Sequence, residues 1–104
     1  MAGYRVVKGS FSITPTKPTF EVGEDITLNI KCTLERKNGG GAVLAWSSDY
    51  KVYSKDSKLL AQDSREHLTA PWTDIDTGKD DFFINLGAFS PGRLDGYVTV
   101  DAHG

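Results

Sequence analysis

Three aspartates around a glycine form the strongest metal-ligand pattern in the sequence. Asp74, Asp76 and Asp80 stand close together, with Gly78 between them. Calcium takes about six or more hard oxygen ligands, and a loop with carboxylates at alternating positions can wrap one ion. The pattern departs from the EF-hand, because Lys79 stands where that loop needs its glycine and no glutamate closes the loop. We therefore expect a solvated, aspartate-rich turn without a cofactor, with a structural calcium ion as the alternative.

Aromatic side chains offer a second kind of site. Tyr50, Tyr53 and Trp72 would form a platform for a sugar if their rings were exposed, because aromatic faces stack on the apolar faces of sugar rings. Trp72 follows Pro71 in a polar segment, which favours its exposure. Exposed tryptophans are enriched at the hot spots of protein interfaces, so Trp72 is also a candidate for binding a protein partner.

Patterns for nucleophilic or zinc chemistry are missing from the sequence. His67 and His103 lack metal-ligand spacing and are expected at the surface. The single cysteine, Cys32, excludes an internal disulfide and a multi-cysteine zinc site, and it alternates with aliphatic residues like a small buried hydrophobe. No serine lies in a Gly-x-Ser-x-Gly elbow, and no glycine-rich stretch is followed by the lysine of a phosphate-binding loop. We expect a protein that is not an enzyme.

Composition excludes other classes of protein. Twelve basic and fourteen acidic residues give a net charge of −2, which argues against nucleic-acid binding. The longest apolar run, Ala42 to Trp46, is too short to span a bilayer, and no charged leader opens the chain. We expect one domain over residues 1–104, without membrane contact, located in a virion or in the cytoplasm, or exposed at a surface if it belongs to a longer protein.

Hydrophobic alternation predicts the elements that position these residues. Ile26 to Leu34 places aliphatic side chains and Cys32 on one face and polar side chains on the other, which is the pattern of a half-buried strand. Pro15 and Pro18 make a broken edge strand of the stretch before it. Further short strands are predicted over residues 42–46, 50–54, 59–61, 82–86 and 96–102. The chain is therefore predicted to be all-β, an antiparallel sandwich or barrel.

One segment, Gln62 to Asp81, shows little periodicity. Between Asp63 and Asp81 there are six acids and two bases, a net charge of −4. We expect an acidic loop here, either functional or simply mobile.

The strand sequences resemble those of immunoglobulin-like domains. Phe20 to Cys32 is similar to the entry into strand B, and Trp46 follows Cys32 by fourteen residues, like the buried tryptophan of strand C. Phe82 to Leu86 and Leu94 to Tyr97 resemble strand E and the corner before strand F. The resemblance implies a two-sheet immunoglobulin-like sandwich of about seven strands with Trp46 in its core. It also implies a non-catalytic interaction or assembly module, similar to disulfide-free accessory domains of phage and archaeal virions and to modules of prokaryotic surface proteins.

Two threadings onto this family stay open. In the first, residues 82–86 form strand E and residues 96–102 form strand F, which is then an open edge that invites pairing with another chain. In the second, the same segments form strands F and G of a complete sandwich. The first threading makes Tyr97, Thr99 and Asp101 candidates for contact with a protein partner or with a second copy of the chain, and carbohydrate binding through the aromatic residues is the alternative function.

Overall fold

The structure, a computed structural model, describes residues 3–37, 45–68, 75–92 and 94–104, and in these ranges the chain forms seven β-strands and no helix. In chain order the strands are β1 (Gly3–Val6), β2 (Ser12–Pro15), β3 (Thr27–Lys37), β4 (Ala45–Ser54), β5 (Leu59–Leu68), β6 (Ile75–Asn85) and β7 (Gly96–His103). They form two antiparallel sheets, which confirms the prediction of an all-β, two-sheet architecture.

Each sheet is built around one long strand. In the first sheet β3 pairs with β6 along its whole length, and its other side pairs with β2 and then with β1, end to end. In the second sheet β4 lies between β5 and β7. The predicted break at Pro15 is confirmed, because β2 ends there.

The core lies between the sheets, and the alternation predicted for β3 is confirmed. Ile30, Cys32 and Leu34 are buried, while the residues between them face solvent or are half-buried. Trp46 is 1% exposed, so its predicted place in the core is also confirmed. Nine buried residues form this cluster: Ile30, Cys32, Leu34, Trp46, Tyr50, Val52, Phe82, Ile84 and Leu86.

The pairing of β6 distinguishes between the two threadings. Strand E of an immunoglobulin sandwich lies beside strand B, whereas strand F lies beside strand C. Residues 82–86 follow the first arrangement, because β6 pairs with β3, while β7 pairs with β4. The first threading therefore has the observed pairing; the immunoglobulin-like identity itself stays a prediction.

The prediction of an acidic loop over Gln62 to Asp81 is wrong at both ends of this segment. Its first part belongs to β5 and its last part to β6, and residues 69–74 lie outside the described ranges. Burial alternates strictly along both segments, but the side chains that point inward include Asp63, Arg65, Asp76 and Asp80. A pattern based on hydrophobic residues misses strands whose inward positions are polar.

Two isoleucines that face each other across the first sheet provide a test of the core. Ile13 of β2 and Ile30 of β3 are cross-strand partners, but Ile13 is 39% exposed and Ile30 is fully buried. We expect Ile30→Ala to lower the free energy of unfolding by about 2–5 kcal/mol, and Ile13→Ala by less than half as much. Urea unfolding of both variants measures this, and equal losses would contradict the layered core.

Candidate interaction edge and buried polar network

Three of the four residues predicted to contact a protein partner lie in one row on β7. Tyr97, Thr99 and Asp101 occupy alternate positions, so their side chains share the outer face of the second sheet. All three are exposed, Tyr97 to 44%. The residues between them, Val98 and Val100, point inward and pack against the core.

Backbone groups of β7 point in two directions, and one hydrogen bond fixes which residues point where. The Lys55 amide donates to the Asp95 carbonyl oxygen over 3.0 Å, and the register continues without a shift from Gly96, opposite Ser54, to His103, opposite Ser47. In an antiparallel pair, hydrogen-bonded and non-hydrogen-bonded positions alternate. The odd-numbered residues of β7 therefore bond to β4.

The even-numbered residues of β7, by the same alternation, direct their N–H and C=O groups away from β4. Val98, Val100 and Ala102 are those residues within the strand. In the ranges that the structure covers, no strand pairs with this side of β7. We call this row of backbone groups the free edge of β7.

The other sheet edges carry features that discourage pairing. Strand β5 points Asp63, Arg65 and His67 inward, and β6 does the same with Asp76 and Asp80. The far edge of the first sheet consists of two four-residue strands, one of which ends in proline. Inward charges, short strands and proline are the devices by which edge strands avoid other chains. Strand β7 has no lysine, proline or inward charge.

A narrow apolar cleft opens between the sheets beside the start of β7. Its volume is about 130 Å³, and Ile13, Leu60 and Val98 lie on its walls. The residues that point inward from β7 are only half-buried. Apolar surface is therefore still available next to the free edge.

The prediction that Tyr50 belongs to an exposed aromatic platform for a sugar is wrong. This side chain is fully buried, and its hydroxyl donates a hydrogen bond to Asp80. Tyr53 instead stacks on Tyr97, with ring centroids 5.1 Å apart, and the Tyr97 hydroxyl donates to Ser57 Oγ over 2.9 Å. Trp72 lies outside the described residues, so its predicted roles in sugar and partner binding stay predictions.

A small charged cluster continues the outer face of the second sheet toward the end of β7. The Asp49 carboxylate lies 2.8 Å from His103 Nε2 and accepts a hydrogen bond from Ser64 Oγ over 2.7 Å. These contacts hold the pKa of Asp49 below its usual value, and the hydrogen bond to Asp49 raises the pKa of His103. His103 is exposed, as predicted.

Asp80 is the centre of a polar network buried between the sheets. Its Oδ2 atom accepts hydrogen bonds from the hydroxyls of Ser48, over 2.8 Å, and Tyr50, both on β4. Burial and then the hydrogen bond to Asp80 raise the pKa of Tyr50, so this hydroxyl keeps its proton. The contact ties β6 of the first sheet to β4 of the second.

His67 completes the network, and its predicted place at the surface is wrong. Its side chain is 9% exposed, and its ring packs against Trp46 in a tilted arrangement, with centroids 4.3 Å apart. Its Nε2 atom lies 3.1 Å from Ser48 Oγ and 3.4 Å from Asp80 Oδ2. Gly78 also lies against the His67 ring, and a Cβ atom added at this glycine would lie 2.5 Å from the imidazole. The sequence signal for this site is the glycine inside a strand, which marks a close approach of another group.

Ser48, His67 and Asp80 are the residue types of a catalytic triad, but they are arranged differently. In a triad the histidine takes the serine proton on one nitrogen and bonds the carboxylate through the other. Here the Ser48 hydroxyl donates to Asp80 directly and is fully buried, and one nitrogen of His67 faces both partners. This cluster is suited to holding the sheets together and not to nucleophilic attack.

Two of the three aspartates of the predicted calcium turn, Asp76 and Asp80, have partners within the fold. Asp76 and Asp80 lie in a strand and not in a turn, and both are buried. Asp76 forms a 2.8 Å ion pair with Arg36, its cross-strand partner. Asp74 lies outside the described residues, and among the described ones no group of three or more His, Cys, Asp or Glu side chains is placed to hold a metal ion. Calcium binding stays a prediction that nothing here tests.

Comparison with known proteins gives no further information about this site. No family model, curated protein or solved structure matches the chain. The part of the chain that the structure covers also contains no helix long and apolar enough to cross a membrane.

The close approach of His67 to Gly78 gives a test of the network. In Gly78→Ala the new methyl group collides with the imidazole, so we expect the free energy of unfolding to fall by about 1–3 kcal/mol. A double-mutant cycle with His67→Ala checks the cause, because removing the ring also removes the collision. Strictly additive losses in urea unfolding would contradict it.

The charged cluster predicts a pH dependence. Because the pKa of His103 is raised above 6.5, its pairing with Asp49 stabilises the fold fully below pH 6.5, and this contribution disappears as the pH rises through the folded-state pKa. NMR titration should show the raised pKa. Asp49→Asn should lower it toward 6.5, and Asp101→Asn, which removes only a weaker charge effect, should lower it less. An equal effect of the two variants would refute the assignment.

Proposed function

We propose that this protein is a non-catalytic interaction or assembly module that binds a protein partner by adding a strand to the free edge of β7. The observation that carries the proposal is the outward direction of the backbone N–H and C=O groups of Val98, Val100 and Ala102. An extended segment of another chain can hydrogen-bond to such a row, as in other cases of strand addition.

Side chains next to the free edge supply the means of selecting a partner. Main-chain hydrogen bonds give affinity for any extended segment, whereas side chains on the two faces of the added strand give specificity. On the outer face the added strand would run beside Tyr97, Thr99 and Asp101, and on the inner face beside Val98 and Val100. This arrangement favours a partner strand that is apolar on one face and polar on the other.

The resemblance to disulfide-free immunoglobulin-like domains gives this proposal a biological setting. Domains of that kind serve as accessory or decoration subunits of virions and as modules of surface proteins. The pairing of β3 with β6 and of β4 with β7 is the order of the first of the two threadings, the one that leaves β7 as an open edge, and it supports the proposal. A structural subunit of a larger particle is the role that we favour.

Blocking the free edge without disturbing the fold tests the proposal. Val100→Pro removes an N–H that β4 does not use, and proline is tolerated on edge strands in this orientation. Val100→Ala shortens the same side chain but keeps the N–H. Peptides selected from a random displayed library on the wild-type protein should bind Val100→Pro about tenfold or more weakly than Val100→Ala, which controls for the loss of the valine side chain. Equal binding to both variants would show that partners do not use this edge.

A further inference from the structure

We infer that the strand partner is a second copy of this chain, joined through antiparallel pairing of β7 with β7 of the other copy about a two-fold axis at Val100. This inference rests on the proposed function, since it names the occupant of the free edge. It would join the two second sheets into one six-stranded sheet.

The backbone of β7 fits this pairing. With the axis at Val100, Val100 meets Val100 of the other copy, and Val98 meets Ala102. These are the residues whose N–H and C=O groups point away from β4, so each such pair can exchange two hydrogen bonds, about six in all. In a register shifted by one residue, each even-numbered residue would lie opposite an odd-numbered residue of the other copy. The backbone groups of that odd-numbered residue are already bonded to β4, so the pair could not exchange two hydrogen bonds.

The side chains of β7 are also self-complementary in this register. On the outer face Thr99 lies opposite Asp101 of the other copy, and by symmetry this contact occurs twice. The threonine hydroxyl can donate to the carboxylate, and directly opposed polar pairs of this kind stabilise antiparallel strands. On the inner face only valine and alanine meet.

Charge and hydrogen bonding on the outer face favour this register over the neighbouring ones. With the axis at Asp101, the two carboxylates would be directly opposed, which is destabilising. With the axis at Thr99, Asp101 would face Tyr97, whose hydroxyl already donates to Ser57. The axis at Val100 is therefore the one that gives the exposed carboxylate a new hydrogen-bond donor.

Light scattering after size exclusion tests the association itself. Over increasing concentration the wild-type protein and Val100→Ala should shift from the mass of one chain toward that of two. Val100→Pro should raise the dissociation constant about tenfold or more, because each copy loses a donor at the centre of the pairing. A wild-type protein that stays monomeric at millimolar concentration would overturn the inference.

Single cysteines test the register. Residues opposed at non-hydrogen-bonded positions have Cα atoms about 4.5 Å apart, within the range of a disulfide. An equimolar mixture of Thr99→Cys and Asp101→Cys, one of them tagged, should form the mixed disulfide under mild oxidation, while Thr99→Cys alone should form little. Wild-type protein is the control for Cys32, which is 3% exposed. Rapid self-linking of Thr99→Cys without the mixed product would overturn the register at Val100.

The two proposals fail in different ways. If library peptides bind the wild-type protein and lose binding in Val100→Pro, while the protein alone stays monomeric and gives no mixed disulfide, the free edge binds a different protein and self-pairing is wrong. If dimers form but Val100→Pro dimerises as readily as Val100→Ala, the dimer contact lies elsewhere and self-pairing through β7 is wrong. The proposed function is wrong as well only if library peptides bind the two variants equally.

Discussion

The packing of the two sheets depends on one buried carboxylate. Asp80 of β6 would be costly to bury alone, but the hydroxyls of Ser48 and Tyr50 on β4 hydrogen-bond to it across the interface. This contact requires the even-numbered residues of β4 to face β6. Since side chains alternate, the odd-numbered residues of β4 must face outward, and so must Tyr97 and Thr99 of β7, which lie opposite Tyr53 and Lys51.

The sequence was sufficient to predict the parts of the fold whose buried side chains are apolar. Strand β3, the burial of Cys32 and Trp46, and the location of β7 follow from alternation and from the resemblance, and they are confirmed. Strand β5 beyond Ala61 and the first half of β6 could not be found in this way. Most of their inward residues are polar, and the buried aspartates among them are satisfied by partners from other strands, as Arg36 satisfies Asp76 and Ser48 satisfies Asp80.

The candidate site was predictable to the same extent. The exposed row on β7 follows from the period of a strand, once the strand is known. The burial of Tyr50 and His67 was missed because the lengths of their strands were not predicted. Residues 42–46 and 50–54 were predicted as separate strands, whereas β4 is continuous, so the strand period places Tyr50 on the buried face of Trp46. Strand β5 likewise runs to Leu68 and not only to Ala61, and His67 lies on its inward face.

The inward-pointing polar residues that kept β5 and β6 from being predicted in full also protect the edges of these strands from pairing with other chains. Together with the interrupted far edge of the first sheet, this leaves β7 as the one edge open to a ladder, among the strands described. Such a molecule can pair with another chain through one strand edge. Two copies that join through it consume both open edges, so strand pairing closes at a pair, and attachment of that pair to a larger particle would use other surfaces. A molecule with two open edges could instead grow into a fibre by strand pairing alone.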